Sequence, residues 1–199
     1  MHDTIFLDVD TQTDFLLPVG SLYVPGAERI IPKLARLYEM AKTRGIRVIA
    51  DVDAHTEQDP EFRSWPPHCI AGTLGQKKVP ETLLAGAVTI PNQPGDLPGG
   101  WQNAPQVIVE KQTLDVFENS TIERVLAGWV ARHYVVFGVV TEICVLKVAM
   151  GLLRGGRKIE VVTDAVACLD PKEGQKALDA IVAAGGTLTT TSALSAALG

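Results

Sequence analysis

Six short apolar runs recur along the chain, and what separates them constrains the fold more than any other feature. The runs are 5–9 (IFLDV), 46–50 (IRVIA), 106–109 (QVIV), 134–139 (YVVFGV), 158–162 (KIEVV) and 187–190 (TLTT). Between most of them, apolar residues recur at helical spacing, over about 27–43, 120–131, 144–153 and 172–184. In the first helix Ile30, Ile31, Leu34, Leu37 and Ala41 form the apolar stripe; Pro32 must fall in its first turn, and Gly45 stops it. Strands alternating with helices call for a parallel sheet. Runs as apolar as 135–139 suit strands covered on both faces. The expectation is an α/β fold with a single doubly wound, mainly parallel six-stranded sheet and helices on both faces. With 199 residues, 46% of them hydrophobic, the chain can form one full core, so residues 1–199 are expected to make a single domain.

One segment breaks the alternation. Residues 51–104 are rich in Pro and Gly, with one short helix expected around 80–87. About fifty residues with little regular structure is unusual inside a compact domain, and such loops commonly carry function.

Composition narrows the function classes. A net charge of −5 offers no basic footprint, so no nucleic-acid partner is expected. No stretch reaches the ~18 apolar residues of a membrane helix. Met1-His2-Asp3-Thr4 leads into a strand with no basic n-region, so no signal peptide is expected. Three cysteines, at 69, 144 and 168, make no disulfide framework. A reduced, cytoplasmic compartment fits, where a cysteine is catalytic, metal-binding or simply buried.

In an open parallel sheet, ligands sit at the carboxyl ends of the strands. Asp10, Gln12 and Asp14 follow the first run, Asp53 and His55 the second, Lys111 the third, and Thr141, Glu142 and Cys144 the fourth. If these strands are neighbours, one crevice holds a carboxylate, an amine, a thiol and a candidate metal site, a set suited to a nucleophilic hydrolase. Each residue alone has a plainer reading: Cys144 as a small buried hydrophobe, Lys111 as a solvated surface lysine, Asp10 as a turn former. A thiol at a helix N-terminus, however, has its thiolate stabilised. Asp53 and His55 project to one side of an extended segment. With Glu61 and His68 they make a ligand set for zinc, manganese or iron. Pro66 and Pro67 stiffen the approach to His68.

Through these residues the chain resembles the isochorismatase-like cysteine hydrolases and, within them, the nicotinamidases, over nearly its whole length. The resemblance is carried by 9–15 (VDTQTDF), Asp53-Ala54-His55, 64–69 (SWPPHC), Glu110-Lys111 and 138–145 (GVVTEICV). It implies the isochorismatase-like hydrolase fold. It implies Cys144 as nucleophile, Asp10 as general base and then acid, and Lys111 as third member, with a thioester formed as ammonia or an amine leaves. It further implies a cis peptide at Val139–Val140 that turns the amides of Val140 and Cys144 toward one point, an oxyanion hole. Asp53, His55 and His68 would bind a divalent metal, zinc before manganese or iron, with Glu61 joining them. Phe15, Trp65 and Thr141 would border the substrate, and a homo-oligomer, dimer or tetramer, is implied.

Departures stand beside the matches. Gln112 follows the lysine where glycine is common, and Glu142-Ile143 stand where Asp and an aromatic or His are common. The expected function is therefore a cysteine-dependent, metal-containing amidohydrolase of a small carboxamide, with nicotinamide to nicotinate and ammonia first. The alternatives are another small amide, a carbamoyl or ureido compound, or isochorismate on the same triad, and a catalytically silent binding module. Cys69 and Cys168 are read as packed residues, His133 as a surface residue, and Trp101 and Trp129 as core or interface.

Overall fold

The β-branched residues that crowd the apolar runs favour strands, and strands form there in a computed structural model that describes residues 3–198. In chain order the main elements are β1 (Thr4–Val9), α1 (Thr13–Leu16), α2 (Ile31–Arg44), β2 (Arg47–Asp53), β3 (Val88–Ile90), β4 (Gln106–Lys111), α3 (Ser120–Gly128), β5 (His133–Val139), α4 (Leu146–Arg154), β6 (Lys158–Ala167), α5 (Pro171–Ala183), β7 (Thr187–Thr189) and α6 (Thr191–Ala197). The sheet runs β3-β4-β2-β1-β5-β6-β7, and every pair is parallel. Isoleucine and valine on one face pack against α3, α4 and α5; the other face packs against α1, α2 and α6.

Several elements differ from the sequence expectation, and β2 and β6 run on to Asp53 and Ala167, past the expected 50 and 162. The sheet has seven strands among the described residues, not six. The added strand, β3, lies inside the long connection and pairs only with β4 at the sheet edge. Three residues are too few to show an alternating period, so only the partner strand reveals it. The helix expected at 80–87 is a single 3-10 turn, Pro80–Thr82. The helix expected to reach 131 ends at Gly128, where the chain packs against the Trp101 ring.

The chain moves outward from β1 through β2 to β4, then crosses back to place β5 on the other side of β1. The order thus reverses between β1 and β5, where an open α/β sheet leaves a crevice. Gly138 makes this junction tight. Its φ is +119°, and a Cβ there would meet the Val9 carbonyl oxygen at 2.0 Å, at a position paired with Val9 itself.

A buried polar network ties the long connection to the sheet. Lys78 Nζ lies 2.9 Å from Asp8 Oδ2. Thr11 donates to the same oxygen at 3.0 Å, and Tyr38 also bonds to it. Gln106 Nε2 donates to Tyr38 Oη at 3.0 Å and to the Thr82 carbonyl at 3.1 Å. Hydrogen bonds to Asp8 Oδ2 support this buried ion pair, while Asp8 Oδ1 stays buried without a partner.

Trp101 and Trp129 are both core residues, with ring centroids 6.0 Å apart, and the Arg47 guanidinium stacks over Trp129 at 4.9 Å. His133 is half-buried, 3.6 Å from Glu160; His2 lies outside the described residues. No helix among the described residues is long and apolar enough to cross a membrane.

Candidate active site

Adjacent strands β4 and β2 end in Lys111 and Asp53, and Asp10 directly follows the end of β1. Asp53 and Lys111 are register partners, so their side chains emerge side by side. Asp10 adopts φ 50°, a left-handed conformation uncommon for any residue but glycine. Its N–H donates to the Asp51 carbonyl at 3.1 Å, and its own carbonyl accepts from Gln12 N–H at 2.8 Å. That turn places the carboxylate beside Lys111, whose Nζ lies 2.9 Å from both Asp10 oxygens and also bonds to Asp53 Oδ1. All three residues are buried. One buried ammonium thus bridges two buried carboxylates.

Cys144 comes from the opposite side of the crevice. The Val139–Val140 peptide that ends β5 is cis. A single π turn, Thr141–Val145, then leads into α4 and carries Cys144 into the crevice. The Thr141 hydroxyl donates to the Ala167 carbonyl at 2.9 Å, anchoring the turn to β6. Thr141, expected beside the substrate, does not line the cavity.

Charge in this crevice is finely opposed. Burial and the neighbouring Asp53 carboxylate push Asp10 up to about 7, against Lys111 and the Cys144 thiol, which pull it down. Burial also pushes Asp53 up, but Lys111 and the two histidines outweigh it and hold that carboxyl well below the usual range. Burial lowers Lys111, while Asp10 and Asp53 together hold it charged, well above an ordinary lysine. Burial and the Asp10 carboxylate raise the Cys144 thiol well above its usual value despite Lys111. At this helix start, burial and the carboxylates thus oppose the stabilisation that the helix end and Lys111 offer a thiolate.

Asp53 also belongs to a second cluster. Its Oδ2 lies 3.6 Å from His55 Nε2 and 3.6 Å from His68 Nε2. Donor atoms of Asp53, His55 and His68 all fall within 4.8 Å of one another. Ligands at ~2.1 Å around a tetrahedral ion stand about 3.4 Å apart, so the set fits a divalent cation with little movement. His55 is fully buried, and its Nε2, which faces the cluster, has no hydrogen-bond partner, a costly state for a polar group without a ligand. The outer nitrogens are oriented: His68 Nδ1 lies 2.8 Å from the Pro66 carbonyl, and His55 Nδ1 3.0 Å from Asp59 Oδ2. Such second contacts fix imidazole ligands in place. Glu61 Oε1 stands 3.9 Å from His68 Nε2, just outside this three-residue cluster.

Gln12 and Asp14 turn out to hold the cluster from behind. Gln12 Oε1 accepts the Asp53 N–H at 2.8 Å, and its Nε2 donates to the Asp53 and Gln76 carbonyls. Asp14 accepts N–H groups from Ser21 and from Cys69, which follows His68. Sequence reasoning also missed Asp51. It is fully buried in β2 with neither carboxylate oxygen hydrogen-bonded, and burial with Asp10 beside it raises its pKa well above the usual range.

Asp10, Cys144, Asp53 and His68 open on a cleft of about 400 Å³, its open mouth included. Phe15 and Trp65 line it, as do Val139, Val140, Glu61 and several aliphatic side chains. The Phe15 ring lies 5.3 Å from the His68 ring.

Comparison with known proteins places this geometry. A sequence profile described as the isochorismatase domain matches residues 100–193. An uncharacterized isochorismatase family protein of Bacillus subtilis is 30% identical over 164 residues, 80% of this chain and 83% of that protein. A nicotinamidase of Escherichia coli is 26% identical across 96% of both chains. A pyrazinamidase of Pyrococcus horikoshii, solved in complex with zinc, superposes with a TM-score of 0.78 at 28% identity, covering 94% of this chain and 99% of that one.

Proposed function

The chain belongs to the isochorismatase-like hydrolase family, and from that premise we propose that it is, as one domain, a cysteine-dependent amidohydrolase holding a divalent metal. Its substrate is a small, uncharged carboxamide, nicotinamide first, giving the acid and ammonia. The observation that carries this reading is the convergence of Cys144 and Asp10, with Lys111 bonded behind Asp10, on a cavity whose wall includes Asp53 and His68 of the Asp53–His55–His68 cluster.

Cys144 Sγ attacks the amide carbonyl as Asp10 takes its proton. The developing oxyanion is met by the amides of Val140 and Cys144; removing one such donor typically costs about 3 kcal/mol of transition-state stabilisation. Asp10, now protonated, gives its proton to the leaving nitrogen, and ammonia departs from a thioester. Asp10 next takes a proton from water, which attacks the thioester, and Cys144 leaves as Asp10 returns that proton to its sulfur. Lys111 keeps Asp10 ionised between these transfers. Asp53, His55 and His68, with Glu61 at the margin, would hold the metal, zinc before manganese or iron, which supplies an electrophilic point for a ring nitrogen or a water. Phe15 and Trp65 flank a flat substrate.

The cavity lining disfavours anionic alternatives. Asp10, Asp53 and Glu61 face it, and no Arg or Lys among the described residues lines it; a carbamoyl amino acid or isochorismate would bring carboxylates to an acidic wall. Incubation with nicotinamide and an uncharged amide panel, reading ammonia release with zinc, manganese or iron present, tests the proposal. Release from no amide under any metal would leave the binding-module reading.

Two further outcomes are expected. Purified protein should carry close to one divalent metal per chain, and His55→Ala or Asp53→Asn should lower that stoichiometry to near zero; a full complement in either variant removes the cluster as the site. Activity should also depend on pH through Asp10. A base must be ionised, and Asp10 is pushed up to about 7, so kcat/KM should be full above that pH and fall about tenfold per unit below it. Engaging Asp53 with a cation offsets its repulsion of Asp10, so metal loading should move this limb to lower pH. A profile flat down to pH 4 would eliminate Asp10 as the base.

A further inference from the structure

Resting on the amidohydrolase reading, we propose that Leu114, Ile143 and Leu169 form an apolar subsite for an uncharged alkyl or aryl group of the substrate, and that Glu142 is the positioning residue that holds Leu169 there. The three side chains come from three loops at the carboxyl rim: after β4, inside the Cys144 turn, and after β6. All three line the cavity that Cys144 opens on.

Leu169 is 38% exposed, yet its backbone is tightly held. Glu142 Oε1 accepts the N–H groups of Leu169 at 2.8 Å and Asp170 at 2.9 Å. Asp170 in turn caps α5, accepting from Lys172 and Glu173 N–H. The Thr141 hydroxyl holds the Ala167 carbonyl at the other end of the same turn. Behind it, α5 approaches so closely that a Cβ on Gly174 would meet Cys168 Cβ at 2.7 Å. Two residues of the nucleophile turn thus fix the 167–170 segment. A leucine left partly exposed on a backbone this constrained is a wall waiting for an apolar contact.

Glu142 itself does not line the cavity. Its Oε1 is taken by backbone N–H groups, and its Oε2 is buried without a partner, about 4 Å from the Cβ position of Gly174. The carboxylate therefore turns away from the substrate, and the cavity meets only Ile143 and Leu169 from this region. A group placed against them gains by leaving water, whereas a carboxylate or ammonium there would lose its solvation with no partner.

The test is a series of primary amides, acetamide, butyramide, valeramide, benzamide and nicotinamide, with succinamate as the anionic counterpart of valeramide. Ammonia release gives kcat and KM. Added methylenes should each raise kcat/KM by up to about tenfold, and succinamate should lie at least about 100-fold below valeramide. Leu169→Asp, or Leu114→Asp should the first variant melt early, should raise KM for valeramide about tenfold or more, with a smaller change in kcat. Glu142→Ala should do likewise, while Glu142→Gln, whose carbonyl oxygen can still accept both N–H groups, should restore KM. Unchanged KM in the aspartate variants, equal handling of succinamate and valeramide, or a Gln variant as poor as the Ala variant overturns the proposal. Protection of Cys144 from iodoacetamide, read by mass spectrometry, separates this inference from its premise. Valeramide protecting the native chain but not Leu169→Asp, with no ammonia released, would sink the hydrolase reading and keep the subsite. Turnover with equal protection in both chains would do the reverse.

Discussion

Cys144→Ala is expected to lower amide turnover by about 10⁴- to 10⁶-fold, the range seen when a covalent nucleophile is removed from an intact site. The expectation follows from where the thiol stands. It is buried at the switch point, beside Asp10, and no other thiol and no hydroxyl or amine side chain among the described residues lines the cavity. Removing one sulfur from a packed turn should cost little stability, so the melting temperature should stay within a few degrees and metal content should be unchanged. Cys69 gives a control: it is buried, its thiol is pushed far up by burial and the nearby carboxylates, and its Sγ lies near the Gly75 carbonyl. Cys69→Ala should leave the chemistry in place. Full turnover in Cys144→Ala would end the covalent mechanism, whatever the substrate proves to be.

Lys111→Met is expected to destabilise the metal-free protein by about 3–5 kcal/mol, the usual cost of stranding buried charges by removing their partner. At roughly 2–4 °C per kcal/mol for a chain of this size, the melting temperature should drop by about 10 °C. The physical cause is that one ammonium serves two carboxylates, Asp10 and Asp53, both buried. Without it, both are pushed above their unfolded values. A carboxyl raised on folding stabilises only while protonated, so the loss should be small near pH 4 and grow as pH rises through the range where the unfolded chain ionises. Lys111→Met/Asp10→Asn should recover part of the loss, because one stranded charge is gone. A pH-independent loss under 1 kcal/mol would show that Lys111 is not the counter-charge that the geometry indicates.

Much of the site could be read in the sequence because strand ends are recognisable there. Asp10, Lys111 and Cys144 each follow an apolar run, and a parallel sheet gathers such ends on one rim. Asp53 and His55 stood out by spacing, and His68 by its rigid Pro-Pro approach. The rest depended on contacts between distant segments. Asp51 reads as the start of a loop, and only the extension of β2 to Asp53 buries it. Asp59 belongs to a polar stretch, and its role appears only where it meets His55 Nδ1. Glu142 looked like a departure at the substrate border, but its carboxylate holds the next loop instead.

The sequence by itself determined the class of fold, the order of the elements and the residue types that could do chemistry, because periodicity and strand-end position are local properties of a chain. The tertiary structure alone decided the rest. It set the seventh strand through its pairing with β4, shared Lys111 between Asp10 and Asp53, and surrounded the buried Cys144 with carboxylates. It also tied the long connection down through Lys78 and Asp8. Each of these rests on charge and burial across segments far apart in the chain, and a carboxylate's surroundings are known only once the groups around it have been brought together.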